Sequence, residues 1–174
     1  MTNAFQQKNR VTRSGLRLDL RPAQAEDEAP LEEFFRHVSA DDLHFRFLSA
    51  APRVAHDVVV AMTHVDHHQT ENFLAFEANT GLLVATAMLA CDKTLERGEV
   101  AIAERADFKG RGIGWALLQY VTDAARARGV KMIESIESRD NHAAIELESE
   151  MGFSVEACPG DATLLVVRKY LQPV

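Results

Sequence analysis

Lys109-Gly110-Arg111-Gly112-Ile113-Gly114 is the segment of this chain best suited to chemistry, because of what lies on either side of it. Before it, Glu99-Val100-Ala101-Ile102-Ala103 reads as a short strand. After it, Ile113, Leu117, Val121 and Ala124 share one helical face, and Gly129 offers a C-terminal stop. The first N–H groups of a helix lack intrahelical partners and carry the positive end of the macrodipole, so they attract phosphate. Glycine lets the backbone approach an anion without interference from Cβ. Strand, glycine turn and helix therefore read as a site for a phosphate-bearing cofactor. A glycine turn with no ligand is the alternative that this segment alone leaves open.

Residue identity narrows the cofactor. A Walker A loop needs Gly-Lys followed by Ser or Thr, which is absent here. A dinucleotide fingerprint begun at Gly110 needs Gly or Ala where Trp115 stands, and one begun at Gly112 needs it at Leu117. Both nucleotide readings fail.

The chain has 174 residues, 47% of them hydrophobic and 26% charged, which is enough for one domain with a real core. A net charge of −7 and a pI near 5.5 argue against a nucleic-acid partner, which would need a basic stripe. No run resembles a membrane span or a signal peptide, since Met1 to Ser14 is polar, and a cytoplasmic protein is expected. Cys91 and Cys158 fall in apolar strand-like segments and read as buried small hydrophobes.

Residues 1–15 are polar and without periodicity, a flexible lead-in to a single domain over 16–174. Leu16, Leu18 and Leu20 alternate with charged residues up to Pro22, as in a half-buried strand. Helices are predicted over 27–38 and from Pro52, with Ser39 capping a turn between them. The period then changes. Strands are predicted over 73–77 and 82–91, joined by Ala78-Asn79-Thr80-Gly81, and a third begins at Glu99. After the glycine turn come a helix to Arg128, a strand over 132–136, a helix over 141–151 ended by Gly152, and a closing strand pair, 153–158 with 164–170. The class is α/β (α+β), a mixed, mostly antiparallel sheet of about six or seven strands flanked by about four helices.

That order, with the glycine turn after the fourth strand, resembles the GNAT superfamily of acetyl-CoA-dependent N-acetyltransferases over roughly Leu16 to Tyr170. The superfamily's cofactor motif, Gln/Arg-x-x-Gly-x-Gly/Ala, is matched by residues 109–114, with Lys109 at its first position. Its second signature, an Asn, an Ala and a helix ending in Gly-Phe, is matched by Asn141-His142-Ala143-Ala144 and Met151-Gly152-Phe153. Leu18-Asp19-Leu20-Arg21-Pro22, Phe34-Phe35, Ser39 and Arg46-Phe47 further resemble the bacterial protein-lysine acetyltransferase branch.

The resemblance implies a GNAT fold and acetyl-CoA as cosubstrate, with no metal. It sets the diphosphate of coenzyme A on the N–H groups from Gly110 to Trp115, beside Lys109 and Arg111. Main-chain groups of Ile102, Ala103 and Glu104 would pair with the pantetheine arm and polarise the thioester, and Asn141 would contact the cofactor while capping its helix. A lysine amine has a pKa of about 10.4, so attack near neutral pH needs a base. Glu99 matches the base position of the lysine acetyltransferases, and Glu104, a charge interrupting an apolar strand, competes with it. Glu148 stands where many members carry a tyrosine that reprotonates the thiolate, and it reads as an exposed helix glutamate.

Three features read as bland. His64, His67 and His68 lack the spacing of metal ligands, Cys91 has no orienting His, and Glu146, Glu148 and Glu150 form a charged outer helix face. Two functions follow from the resemblance. One is an N-acetyltransferase that acts by direct attack of a primary amine, either a protein lysine or a small cationic amine. The other is a non-catalytic acyl-CoA-binding sensor. A homodimer through residues such as 164–170 is open.

Overall fold

Apolar alternation in the strands and helical spacing between them build one eight-stranded sheet with helices on both faces. The structure is a computed structural model that describes residues 7–174. In chain order the elements are β1 (Lys8–Val11), β2 (Arg17–Pro22), α1 (Glu28–Arg36), α2 (Ala40–Phe47), α3 (His56–Thr63), β3 (Thr70–Glu77), β4 (Leu83–Cys91), β5 (Arg97–Glu104), α4 (Ile113–Ala127), β6 (Met132–Ser138), α5 (His142–Glu150), β7 (Ser154–Ala157) and β8 (Leu164–Tyr170). The strands lie in the order β1-β2-β3-β4-β5-β6-β8-β7, and only β5 and β6 run parallel. The expected class holds, with one strand and one helix more than the sequence predicts.

The added strand is β1. It lies in the expected lead-in yet pairs with β2 from Lys8 opposite Leu20 to Val11 opposite Arg17. Its side chains are mostly exposed, so it lacks the apolar alternation that marks a buried strand. Residues 1–6 of that lead-in lie outside the described residues. The added helix is α2, which Ser39 starts as an N-cap, its Oγ accepting the Asp42 N–H at 3.1 Å. Helix α3 starts at His56 and not at Pro52, because the Ala55 carbonyl accepts its first hydrogen bonds, from Val58 and Val59.

Alternation along the strands sorts the core into two layers. Phe73 and Ala75 of β3 pack with Ile113, Leu117 and Val121 of α4, whereas Leu74 packs with Leu31, Phe34 and Val59 of α1 and α3. The same rule on β5 sends Val100 toward α4 and Ala103 toward α1–α3.

The feature that makes a site is a parting within this sheet. A parallel pair needs a long crossover, which α4 supplies. Yet β5 and β6 pair over only three positions, from Arg97 opposite Met132 to Glu99 opposite Glu134. Beyond them β5 runs on to Glu104 beside β4, and β6 runs on to Ser138 beside β8. The closed end is clamped by buried Glu134, which accepts from Arg97 Nε and Arg168 Nε, each at 2.8 Å. The strands diverge from there as a wedge.

Candidate active site

The wedge holds a cavity of about 320 Å3. Residues 100–104 of β5 form one wall and residues 135–137 of β6 the other, with the heads of α4 and α5 above one face and α2 above the opposite face. Every sequence-predicted site residue except Arg111 lines this cavity. The walls also carry main-chain groups. Arg105 N–H donates to the Val84 carbonyl, so Arg105 and, by alternation, Ala103 turn their peptide groups toward β4. Ile102 and Glu104 turn theirs into the wedge. Ala103 thus lines the site through its place on the wall but offers it no main-chain donor, contrary to the reading that grouped all three.

At the open end lies the glycine turn. Gly110 (φ +77°) and Gly112 (φ +80°) adopt the left-handed region, which bends successive N–H groups toward one concavity. The first helical bond of α4 runs from Ala116 N–H to the Gly112 carbonyl, so the N–H groups before it are the orphans of that helix. The N-cap is Gly112, which has no side chain to satisfy them. The turn is braced from behind by the loop joining β1 to β2. Ser14 Oγ donates to the Arg111 carbonyl at 2.7 Å, a Cβ on Gly112 would stand 3.4 Å from Arg13 N, and the Arg13 guanidinium lies 3.4 Å from the centre of the Trp115 ring. Trp115 is held against that loop as one wall of the cavity.

The cations of the motif are engaged. Lys109 Nζ is 2.6 Å from Asp42 Oδ2, and Arg111 lies over the Phe108 ring while donating to the Asp107 carbonyl. The group that does face the orphan donors is Glu104. It lies on the α4 side of β5, and its carboxylate takes the Gly114 N–H, with Oε1 only 2.6 Å from where a Gly114 Cβ would be. Burial pushes the Glu104 carboxyl above its ordinary value and Asp42 adds to this, against the pull of Lys109 and of the Gly114 N–H. A protein carboxylate thus occupies the mouth of an anion cradle.

Glu99 is separated from Glu104 by five positions and so points to the opposite face of β5, the α2 side. There it is exposed and lines the cavity together with Asp42, Phe45 and Arg46. Arg46 has no carboxylate partner within ion-pair distance among the described residues. Its Nη2 meets the Met88 thioether at 3.5 Å, its guanidinium lies over the Phe47 ring, and its Nε is buried without a partner. Burial pushes its pKa down, and the field of Glu99 opposes that.

Helix α5 corrects the reading of Glu148. Its side chain is 5% exposed and faces the sheet. There it lies in hydrogen-bonding reach of Glu137 from β6 and beside Ser135. Burial first, and then the Glu137 charge, push the Glu148 carboxyl up to about 9. Burial also raises Glu137, opposed by its contacts with Glu148 and with Asn141, whose Nδ2 donates to it at 3.1 Å. Asn141 precedes α5 as expected but makes no side-chain cap bond.

The residues that the sequence reading missed are Asp42, Phe45, Arg46, Ser135 and Glu137, together with the bracing pair Arg13 and Ser14. Helical spacing could have found Glu148, because Ala144, Leu147, Glu148 and Met151 fall on one face of α5.

The features set aside lie elsewhere. His67 Nδ1 stands 2.8 Å from Glu71, a fully buried carboxylate that also takes Arg128 Nη2 at 3.1 Å. Cys91 and Cys158 are half-buried, not buried, and Cys158 follows the end of β7. Among the described residues no helix is long and apolar enough to cross a membrane.

Known proteins resemble this chain in sequence and in fold. The chain is 26% identical over 151 residues to the acetyltransferase PA5475 of Pseudomonas aeruginosa, covering 86% of this chain and 81% of that protein. The GNAT domain of S. lividans PAT superposes with a TM-score of 0.87 at 22% identity, over 95% of this chain and 97% of that one. A spermidine N-acetyltransferase from Vibrio cholerae, solved with CoA and spermine, superposes with a TM-score of 0.69 at 16% identity, over 88% and 94% of the two chains. The profile described as Acetyltransferase (GNAT) family matches residues 25–153, and the chain belongs to that family.

Proposed function

We propose that this protein transfers an acetyl group from acetyl-CoA to a primary amine, a protein lysine or a small cationic amine, by direct attack while both substrates are bound. The observation that carries this reading is the wedge between β5 and β6, which opens onto the glycine cradle at the head of α4. The residues present fit the cosubstrate. The N–H groups at 110–115, of which Glu104 holds that of Gly114, suit a diphosphate, and the unpaired edge of β5 at Ile102 and Glu104 suits an arm that carries amide groups. The nearby N–H groups of that edge are aimed as donors to a carbonyl oxygen, where negative charge grows during attack. Bound there, acetyl-CoA supplies an activated acetyl group.

The chain's own residues divide the remaining work. Glu99, on the α2 face, takes the proton from the attacking ammonium, directly or through one water. Asp42, Phe45 and Arg46 line the cavity on that face, and Arg46 is one of the residues on which the resemblance to the protein-lysine branch rests. A calorimetric titration with coenzyme A, followed by thiol release from acetyl-CoA with spermidine, aliphatic amines and a lysine peptide, tests the reading. Micromolar binding with amine-dependent release is expected. Binding without release for every amine would identify a sensor instead.

Glu104 adds a prediction of its own. An ionised Glu104 competes with the diphosphate for the same N–H groups, so Glu104→Gln should bind coenzyme A about tenfold more tightly, on the order of 1.4 kcal/mol. The sign with pH follows from the raised carboxyl. While Glu104 is protonated the repulsion is absent, and it develops as pH rises through its folded pKa. The affinity ratio of variant to parent should therefore grow with pH above the usual carboxylate range, as measured by titration calorimetry.

A further inference from the structure

Arg46, on the α2 face of the cavity, is a cation without a counterion in contact among the described residues. Its guanidinium reaches from α2 to β4, where Nη2 donates to the Met88 thioether at 3.5 Å, a weak acceptor for a charged donor. Nε is buried with no partner, and the guanidinium lies over the Phe47 ring. Nη1 donates to nothing among the described residues and is not enclosed, so it is the edge left facing open space. The surroundings offer it no anion. On this face of the sheet, Met88 is flanked by Asn72 across on β3, Ala101 across on β5 and Thr86 two positions back on β4. Asn72 spends its amide on the Met62 carbonyl. Glu99 lies two positions from Ala101 and lends its field from beyond ion-pair distance. Asp42, the other carboxylate of this wall, is engaged by Lys109. A charge removed from water is costly unless it is paired, and the planar fork of a guanidinium matches a carboxylate.

On this basis, and resting on the acetyl-transfer reading, we propose that Arg46 receives a carboxylate of the acceptor, so that the amine used is a protein lysine with an acidic residue beside it and not a polyamine. The two acceptor classes differ in what they bring to the α2 face. Spermidine brings further cations, each of which meets a like charge at Arg46. A lysine with an acidic neighbour brings an amine for Glu99 and an anion for Arg46 to the same wall, where each charge finds its opposite. Phe45 and Leu48 add apolar surface to that wall, with Leu48 40% exposed, and suit the methylene stem of a lysine side chain. The net charge of −7 draws polyamines as readily as lysines, so the choice between them has to be local. Arg46 holds the acceptor and takes no part in the proton transfer.

The measurement is a ratio. Peptides that share one lysine and differ only in its neighbours, Glu, Ala or Arg, are compared in thiol release from acetyl-CoA. The unmodified protein should favour the Glu peptide over the Ala peptide about 10- to 100-fold in kcat/KM, mostly through KM, with the Arg peptide and spermidine below both. Arg46→Met, which keeps an unbranched chain against Met88, should bring the Glu-to-Ala ratio to within about twofold of one. Arg46→Lys should keep part of it, since the charge stays and the fork goes. A second readout needs no turnover. With coenzyme A present, calorimetry should show the Nε-acetylated Glu peptide binding to the unmodified protein, and Arg46→Met losing that binding. Thermal melts show whether both variants are folded. No preference for the Glu peptide in the unmodified protein, or spermidine as the better acceptor, would overturn the proposal alone. So would a ratio that survives in Arg46→Met, where an equal loss with both peptides would make Arg46 a support for Glu99. Absence of thiol release by the unmodified protein with every amine would instead remove the transfer reading, and binding of the acetylated peptide would then decide for or against Arg46.

Discussion

Glu99→Gln should bind coenzyme A within about twofold of the parent protein and lose roughly 10²- to 10⁴-fold in amine-dependent thiol release at neutral pH. The size follows from the substrate. An aliphatic amine of pKa about 10.4 is almost wholly protonated at pH 7, and a protonated amine has no lone pair for attack. The direction follows from β5. Residues 99 and 104 differ by an odd number of positions, so the two carboxyls face opposite sides of the sheet. Of the two, only Glu99 shares its side with α2, whose Phe45 and Arg46 line the cavity. Glu104 is turned away to Gly114. An amine of low pKa, already neutral at the assay pH, should recover part of the lost rate. Full activity of Glu99→Gln with spermidine and with a lysine peptide would move the base elsewhere.

Gly112→Val should abolish coenzyme A binding, by at least about 100-fold, while leaving the sheet folded. Gly112 sits at φ +80°, a region that costs an L-residue about 1–2 kcal/mol and a β-branched one more. Its Cβ would stand 3.4 Å from the Arg13 backbone nitrogen and from Thr12 Cβ, so the added methyl groups have no room behind the turn. The backbone must rotate, and the N–H groups it carries swing out of their shared concavity. Gly110→Ala is the control, because Gly110 is also left-handed (φ +77°) yet a Cβ there meets nothing within 4 Å. It should lose only the strain, about tenfold in affinity. Titration calorimetry beside a thermal melt separates lost binding from lost folding.

These expectations show where the sequence was legible. The glycine turn, the helix after it and the run from Asn141 to Phe153 were readable because their signals are local: punctuation by glycine and apolar spacing within one element. What escaped was long-range or hidden by polarity. The ion pair of Lys109 with Asp42 joins residues 67 positions apart, which no window of sequence displays. Strand β1 has exposed side chains and is held by its ladder to β2, so it carries no apolar pattern. Glu148 shares its charge with Glu146 and Glu150, which resembles an outer face, yet its helical spacing from Ala144 and Met151 places it inward. The alternation on β5 was equally present in the sequence, and it separates Glu99 from Glu104 once the faces are assigned.

The short ladder between β5 and β6 has a mechanical consequence. Main-chain pairing between the last three strands and the first five is confined to one end, where three residue pairs, the Glu134 clamp and the Lys131 and Met132 N–H groups on the Glu96 carbonyl join them above a shared core. The sheet is thus joined at one end and parted at the other. A molecule that lays its own amide groups along both torn edges would act as the missing rungs and stitch the parted strands together. Amide exchange in β6 and β8 should then slow on adding coenzyme A far more than in β3 and β4, so that rigidity rises and falls with each round of occupancy.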